Sequence, residues 1–156
     1  MQAYLKILIG FLFSLSAMAQ SFDRNAFYLT IQNGDSVKIN QQTSLLEHSS
    51  IKEKTAYEGV LLMKKAGAIA NKKQKLETFK SGKHKLEAAL QKDSTNTEYH
   101  FLRLMMQENA PKILGYHHDT QIDSVYICKN FKMLPSSLQR VIKGYSKQSK
   151  ILSELK

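Results

Sequence analysis

The sequence has very few residues that could cross-link the chain or interrupt a helix. Cys128 is its only cysteine, so no intramolecular disulfide can form, and 156 residues must be held together by packing. Cys128 lies in the apolar stretch 125–128, which predicts a buried structural thiol rather than a reactive one. Two prolines, Pro111 and Pro135, leave long windows without a helix breaker. These absences favour a helical fold without covalent cross-links.

Strand-like alternation is weak along the whole chain, whereas apolar residues recur at helical spacing. The pattern predicts an all-α fold, an antiparallel array or bundle of six to seven helices. At Asn33–Gly34 the sequence leaves two alternatives: a helix end capped by Gly34 with Asp35 opening the next helix, or a hairpin turn. The predicted helices cover residues 22–32, 37–46, 51–70, 72–92, 96–109, 122–133 and 136 to the C-terminus.

Three helix starts are predicted from capping boxes. In this motif a Ser or Thr side chain accepts a hydrogen bond from the helix, and a Glu or Gln three residues later returns one. The Ser or Thr of each pair is therefore expected to be the residue that opens its helix. The three pairs are Ser50 with Glu53, Thr95 with Glu98, and Ser136 with Gln139.

No apolar run in the sequence is long enough to span a membrane, which takes about 20 residues. The longest run, residues 7–15, follows Lys6 and precedes small residues at Ala17 and Ala19. This order of charge, apolar run and small residues predicts a signal peptide over residues 1–19. An uncleaved anchor is the alternative, which the shortness of the run disfavours. We therefore expect export to the periplasm or the outside, with residues 20–156 as one mature helical domain that does not span the membrane.

Acidic residues are scarce relative to basic ones, at 13 against 23, which gives a formal net charge of +10. The excess is concentrated in residues 52–92, the Lys-rich segment, with 11 lysines and four glutamates. This segment either forms a solvated helix face or binds anionic envelope surfaces, such as lipid headgroups or acidic glycans. Arginine, which suits bidentate phosphate contacts, is rare in this chain. Together with export, its scarcity argues against a nucleic-acid partner.

The window 96–109 is apolar on most sides, which predicts a helix buried at the centre of the core. An arginine on such a helix must face solvent or meet an acid, and Asp123 or Glu108 could be that acid. Alternatively, the polar strip of this helix is the floor of a binding groove. The candidate groove residues are His100, Arg103, Gln107, Tyr116, His117 and Asp123.

The sequence contains no motif that is typical of a known catalytic site. It lacks a Gly-rich phosphate loop, a nucleophile elbow, and the His-Glu-x-x-His and Cys-x-x-Cys motifs. His117, His118 and Asp119 are the best candidates for a metal-dependent hydrolase site, but their spacing matches no known ligand set. A solvated loop with Asp119 as a helix N-cap explains them better. We therefore predict a protein that is not an enzyme and needs neither a metal nor another cofactor.

Residues 86–98 resemble the helix–turn–helix junction of a tetratricopeptide repeat. Leu86 and Ala89 match its large and small apolar positions, Asp93 and Asn96 mark its turn, and Ser94 stands where the repeat usually has proline. The likeness covers about residues 76–106, with no second copy at a period of about 34 residues. It implies helical hairpins that bind peptides through a groove.

Residues 98–123 are similar to a group of short exported helical proteins with no assigned activity, which implies nothing about chemistry. The sequence as a whole predicts an exported, non-enzymatic module of the cell envelope that binds a protein or peptide partner. The alternative function is a basic domain that binds anionic envelope surfaces through the Lys-rich segment.

Overall fold

The computed structural model describes residues 21–155, and the predicted signal peptide falls outside this range. The described part of the chain is all-helical, with seven α-helices, three short 3-10 turns and no strand. It confirms the all-α prediction and the upper end of the predicted number of helices. The helices are α1 (Arg24–Asn33), α2 (Ser36–Glu47), α3 (Lys54–Gly67), α4 (Lys72–Lys92), α5 (Thr97–Asn109), α6 (Thr120–Asn130) and α7 (Ser136–Ser146).

The chain passes from α1 to α2 through a capped helix end and not through a hairpin turn. Gly34 adopts a positive φ of 71°, which favours glycine, and its amide donates to the Thr30 carbonyl at 2.9 Å. The Asp35 carboxylate then accepts from the amides of Val37 and Lys38, at 2.9 and 3.2 Å. Of the two alternatives at this point, the helix end is right and the hairpin is wrong.

The predicted capping boxes are wrong at all three helices. Asn96 opens α5 because its side chain accepts from the Glu98 amide at 3.0 Å, one residue later than predicted. The Thr95 hydroxyl instead donates to Asp93 at 2.9 Å, so it has no role at the helix end. Helices α3 and α7 begin after Glu53 and Pro135 without any side-chain cap. The helices form where predicted, but none of the three begins with the predicted side-chain cap.

Helices α3 and α4 form the most closely packed pair of the fold. Gly59 and Gly82 meet where they cross, and a Cβ added to Gly82 would lie 2.5 Å from the Gly59 carbonyl oxygen. Lys85 pairs with Glu58 at 2.6 Å, and Lys52 near the start of α3 pairs with Asp93 at the end of α4, at 3.0 Å. Residues early in α3 therefore face residues late in α4, so the two helices run antiparallel.

Helix α5 lies at the centre of the core, as the sequence predicts. Phe101, Leu102 and Leu104 are completely enclosed by protein. They belong to one hydrophobic cluster that extends from Phe27 in α1 to Leu152 beyond α7. Ten of the 13 residues of α5 are buried, so it has contacts on almost every side.

None of the helices within residues 21–155 has the length and apolar character needed to cross a bilayer. Cys128 is partly buried, which is less than predicted, and this burial raises the pKa of its thiol. The thiolate, the reactive form, is therefore disfavoured there.

Candidate functional site

Arg103 of α5 and Asp123 of α6 form a bidentate ion pair. The arginine donates from Nε to Oδ2 at 2.8 Å and from Nη2 to Oδ1 at 2.7 Å. Asp123 is completely buried, and its Oδ1 also lies 2.7 Å from Nδ1 of His100. Burial opposes the charge of Arg103, but hydrogen bonding and the nearby carboxylates still raise its pKa above the ordinary value. This pair fixes α6 against α5 through directional bonds.

Other side chains complete this polar cluster around Arg103. Glu87 of α4 accepts from Arg103 Nη1 at 3.1 Å and from the Tyr116 hydroxyl at 2.6 Å. Burial, and then the bond to Glu87, raises the pKa of Tyr116, so its hydroxyl stays protonated and donates. Gln107 donates to Asp119 at 3.0 Å, whereas its own Oε1 is buried without a donor in the described part of the chain.

Five of the six candidate groove residues belong to this cluster, and His117 does not. His117 is exposed, and its ring lies 4.9 Å from the ring of His118. Arg103 meets Asp123 and not Glu108, the other acid considered for it. Arg103 faces three carboxylates, those of Glu87, Asp119 and Asp123, at 3.1, 3.8 and 2.7 Å, so its polar atoms are taken up by neighbouring helices and loops. These contacts join α5 to α4 and α6.

A second buried cluster surrounds Glu98 at the start of α5. Its carboxylate accepts from the hydroxyls of Tyr28 in α1 and Tyr57 in α3, at 2.9 and 2.5 Å. Arg24 donates to the Tyr57 hydroxyl at 2.7 Å. Burial raises the pKa of Glu98 above its ordinary value, although the tyrosine hydrogen bonds and the charge of Arg24 act in the opposite direction.

A third polar cluster surrounds Glu108 at the end of α5. Glu108 accepts from the hydroxyl of Tyr145 in α7 at 2.9 Å, and from the Ser149 hydroxyl and the Lys150 amide at 3.0 Å each. Burial, and then the charge of Glu108, raises the pKa of Tyr145. Through its three polar clusters, α5 is hydrogen-bonded to five of the other six helices: α1, α3, α4, α6 and α7.

The open surface suited to a ligand lies elsewhere. A groove of about 890 Å³ runs between the end of α3, the first turns of α4 and the segment where α5 ends. This volume lies within the usual range of binding sites. Leu76 is 39% exposed and Ile113 is 94% exposed on its wall. We call this surface the α3–α5 groove; its apolar side chains are Met63, Ala66, Ala68, Leu76, Phe79, Met106, Ala110, Pro111, Ile113 and Leu114.

The charged residues of the α3–α5 groove have a single sign. Lys64, Lys72 and Lys75 line it, and no acidic residue is among its described lining residues. Lys64 is half-buried, and this burial lowers its pKa. Sequence reasoning missed the groove as a site, because its lining residues are far apart in the sequence, from Gly34 to Leu114. The signal in the sequence was the apolar Leu76 amid the lysines of early α4, which predicts a helix face with a partner.

No group of His, Cys, Asp and Glu side chains within residues 21–155 is arranged to hold a metal ion. The carboxylate of Asp119 gives no cap to α6 and instead accepts the bond from Gln107. His117 and His118 contact each other through their rings. The hypothesis of a metal-dependent hydrolase site at His117, His118 and Asp119 gains no support from their placement.

Comparison of the chain with protein-family models, with curated proteins and with solved structures finds no match. The tetratricopeptide-like resemblance of residues 76–106 therefore stays a prediction. In the structure this stretch covers most of α4, the turn after it and most of α5.

Proposed function

We propose that this protein is an exported, non-enzymatic binding protein that holds an apolar segment of a partner polypeptide in the α3–α5 groove. The observation that carries the proposal is the groove itself, whose contiguous apolar wall leaves Leu76 and Ile113 in contact with water. Single exposed apolar residues are common, but a contiguous apolar surface marks an interaction site. A bound segment would remove this wall from water, which is favourable.

Two features favour a polypeptide as the occupant. The groove is open to solvent along elements from three parts of the chain, as are the grooves that receive apolar faces of helices in other proteins. The lysines on its wall select against basic partners, so the groove discriminates by charge. Export rests on the predicted signal peptide, and the resemblance to a peptide-binding repeat agrees with this function.

The polar clusters of α5 support a non-enzymatic role. The carboxylates of Glu98, Glu108 and Asp123 each accept at least two hydrogen bonds from the protein. A general acid or base must reach a substrate proton, and these groups are occupied by structural partners instead. The cluster residues that sequence reasoning selected are therefore proposed to position α5, with the ligand bound in the groove.

A fluorescent amphipathic peptide with leucines at positions i, i+3, i+4 and i+7 tests the proposal. The purified protein should raise the anisotropy of this peptide. Ile113→Ser should weaken binding about tenfold, because it removes an apolar contact worth about 1.5 kcal/mol. Leu76→Ser should act in the same direction. Ile122→Ser is the matched control, because Ile122 is 65% exposed on α6 and lies outside the groove.

Mapping the bound peptide by NMR makes the test specific to this surface. The largest chemical-shift changes should fall on residues 63–79 and 106–114. If Ile122→Ser weakens binding as much as Ile113→Ser, or if the shifts map elsewhere, the groove is not the site and the proposal is wrong.

A second candidate function is attraction of the Lys-rich segment to an anionic envelope surface. The observation in its favour is that six exposed lysines of α3 and α4 have no ion-pair partner within the described residues. Vesicles with anionic lipid should then sediment the protein at low salt and release it at high salt, whereas neutral vesicles should not bind. The same sedimentation at all salt concentrations would contradict this candidate. The lysines are Lys65, Lys72, Lys73, Lys75, Lys80 and Lys92.

A further inference from the structure

We propose that the segment bound in the α3–α5 groove carries carboxylates beside its apolar side chains, and that Lys64, Lys72 and Lys75 receive them. The inference rests on the proposed function and adds the chemistry of the partner. It names an acidic, amphipathic polypeptide segment as the occupant. The observations behind it concern the charge of the groove wall and the unusual position of Lys64.

The first observation is the uncompensated charge of the groove. Lys72 and Lys75 are three residues apart on α4, so their side chains leave the helix on the same side, about one turn apart. Lys64 reaches the groove from α3. Three positive charges thus border an apolar wall, with no acidic residue among the described lining. A low-dielectric wall strengthens the attraction of such charges for an anion.

The second observation is that Lys64 is half-buried and has no hydrogen-bond or ion-pair partner in the described part of the chain. Other lysines of the same two helices with comparable burial have partners. Lys85 pairs with Glu58 at 2.6 Å, and Lys83 lies 4.7 Å from the centre of the Tyr116 ring. Burial of an unpaired ammonium is unfavourable, and here it lowers the pKa of Lys64. A carboxylate in the groove would supply the missing partner.

The helix dipole does not by itself account for the position of Lys64. A lysine in the last turn of a helix interacts favourably with the C-terminal end, and both Lys64 and Lys65 lie in the last turn of α3. Lys65 is exposed and fulfils this role from solvent. Lys64 instead lies half-buried on the wall of the groove, where an anionic partner would supply an ion pair.

Two amphipathic peptides with identical apolar residues test the inference. One carries glutamates beside its leucines, and the other carries glutamines at the same positions. Measured by anisotropy with the purified protein, the glutamate peptide should bind about tenfold more tightly at low salt. Its advantage should shrink as salt is added, because ion pairs at the rim of a site are screened.

Lysine variants locate the effect. The triple variant Lys64→Gln, Lys72→Gln, Lys75→Gln should bind the two peptides equally. A control double variant, Lys73→Gln with Lys80→Gln, removes exposed lysines of α4 that do not line the groove. This control should keep most of the preference for the glutamate peptide.

The titration of Lys64 gives a readout that general electrostatic attraction would not reproduce. With lysines dimethylated by isotope-labelled formaldehyde, NMR reports the pKa of each side chain. The glutamate peptide should raise the pKa of Lys64 and the glutamine peptide should not, since only a nearby carboxylate stabilises the ammonium.

The outcomes separate this inference from the proposed function. If both peptides bind equally in the groove, the acidic partner is wrong and the binding function stands. If neither peptide binds, the proposed function fails and the inference fails with it. If the control double variant loses the preference as completely as the triple variant, the attraction belongs to α4 as a whole and the inference is overturned.

Discussion

Substitution of Gly82 by alanine tests the closest helix contact in the fold. A Cβ at this position would lie 2.5 Å from the Gly59 carbonyl oxygen and 2.8 Å from the Met63 amide nitrogen. Both atoms belong to the backbone of α3, so neither can turn away as a side chain can. Helix α3 must therefore move away from α4 along this crossing, and the side chains packed around it must shift.

The expected effect is the difference between two opposing terms. Overpacking of a close contact costs about 1–3 kcal/mol. Replacing glycine by alanine within a helix returns about 0.5–1 kcal/mol. Because the obstructing atoms are backbone, we expect the upper part of the first range and a net loss of about 2 kcal/mol in the free energy of unfolding. In a chain of this size that corresponds to a decrease in Tm of roughly 5–10 °C.

Urea unfolding followed by circular dichroism measures this loss, with Gly144→Ala as the matched control. Gly144 lies in α7, and a Cβ there would meet no atom within 4 Å. Gly144→Ala gains the higher helix propensity of alanine, and its Cβ collides with no backbone atom. This control should therefore be as stable as the unchanged protein, or more stable by up to about 1 kcal/mol. A Gly82→Ala protein that is as stable as Gly144→Ala would refute the close crossing of α3 and α4.

Three further predictions concern the polar groups. Arg103→Met should lower the free energy of unfolding by about 3–5 kcal/mol, because the buried Asp123 loses its arginine partner. Urea unfolding measures this loss, and a value below about 1 kcal/mol would contradict a buried ion pair. Glu98→Gln should flatten the pH dependence of stability. The raised pKa of Glu98 means that its protonation stabilises the fold fully below about pH 4.5, and that this stabilisation is lost as the pH rises through the folded-state pKa. If the free energy of unfolding changes with pH equally steeply in Glu98→Gln and in the unchanged protein above pH 4.5, this prediction is wrong. Asp35→Ala should cost about 1 kcal/mol by thermal unfolding because α2 loses its cap, whereas Asn40→Ala, within the helix, should not.

Much of the helical architecture follows from local signals in the sequence. Helix α4 was predicted at its observed bounds, because apolar periodicity, Asn71 before its first residue and Asp93 after its last residue all agree. The helix starts were less accurate, because neighbouring polar residues compete for the same amides. At α5, Asn96 provides the cap and Thr95 bonds to Asp93, a choice that depends on the turn geometry and not on the spacing of the motif.

The sites were predicted only in part, for a different physical reason. Arg103 on an apolar helix requires an acid, and the sequence narrowed that acid to two residues, of which Asp123 is the partner. The position of the α3–α5 groove could not be predicted, because most of α4, a turn and all of α5 lie between Leu76 and Ile113 in the sequence. Their shared exposure depends on how far α5 and the residues after it lie from α4, which no local pattern specifies.

The hydrogen bonds of α5 have a consequence for how this architecture tolerates change. Apolar surfaces can slide past one another at little cost in free energy. The hydrogen bonds of Glu98, Arg103 and Glu108, by contrast, form in only one placement of the neighbouring helices. The arrangement is therefore encoded by a few hydrophilic residues inside the molecule. A library that randomised the aliphatic residues of α5 and kept these three should still yield the same topology, with a looser interior.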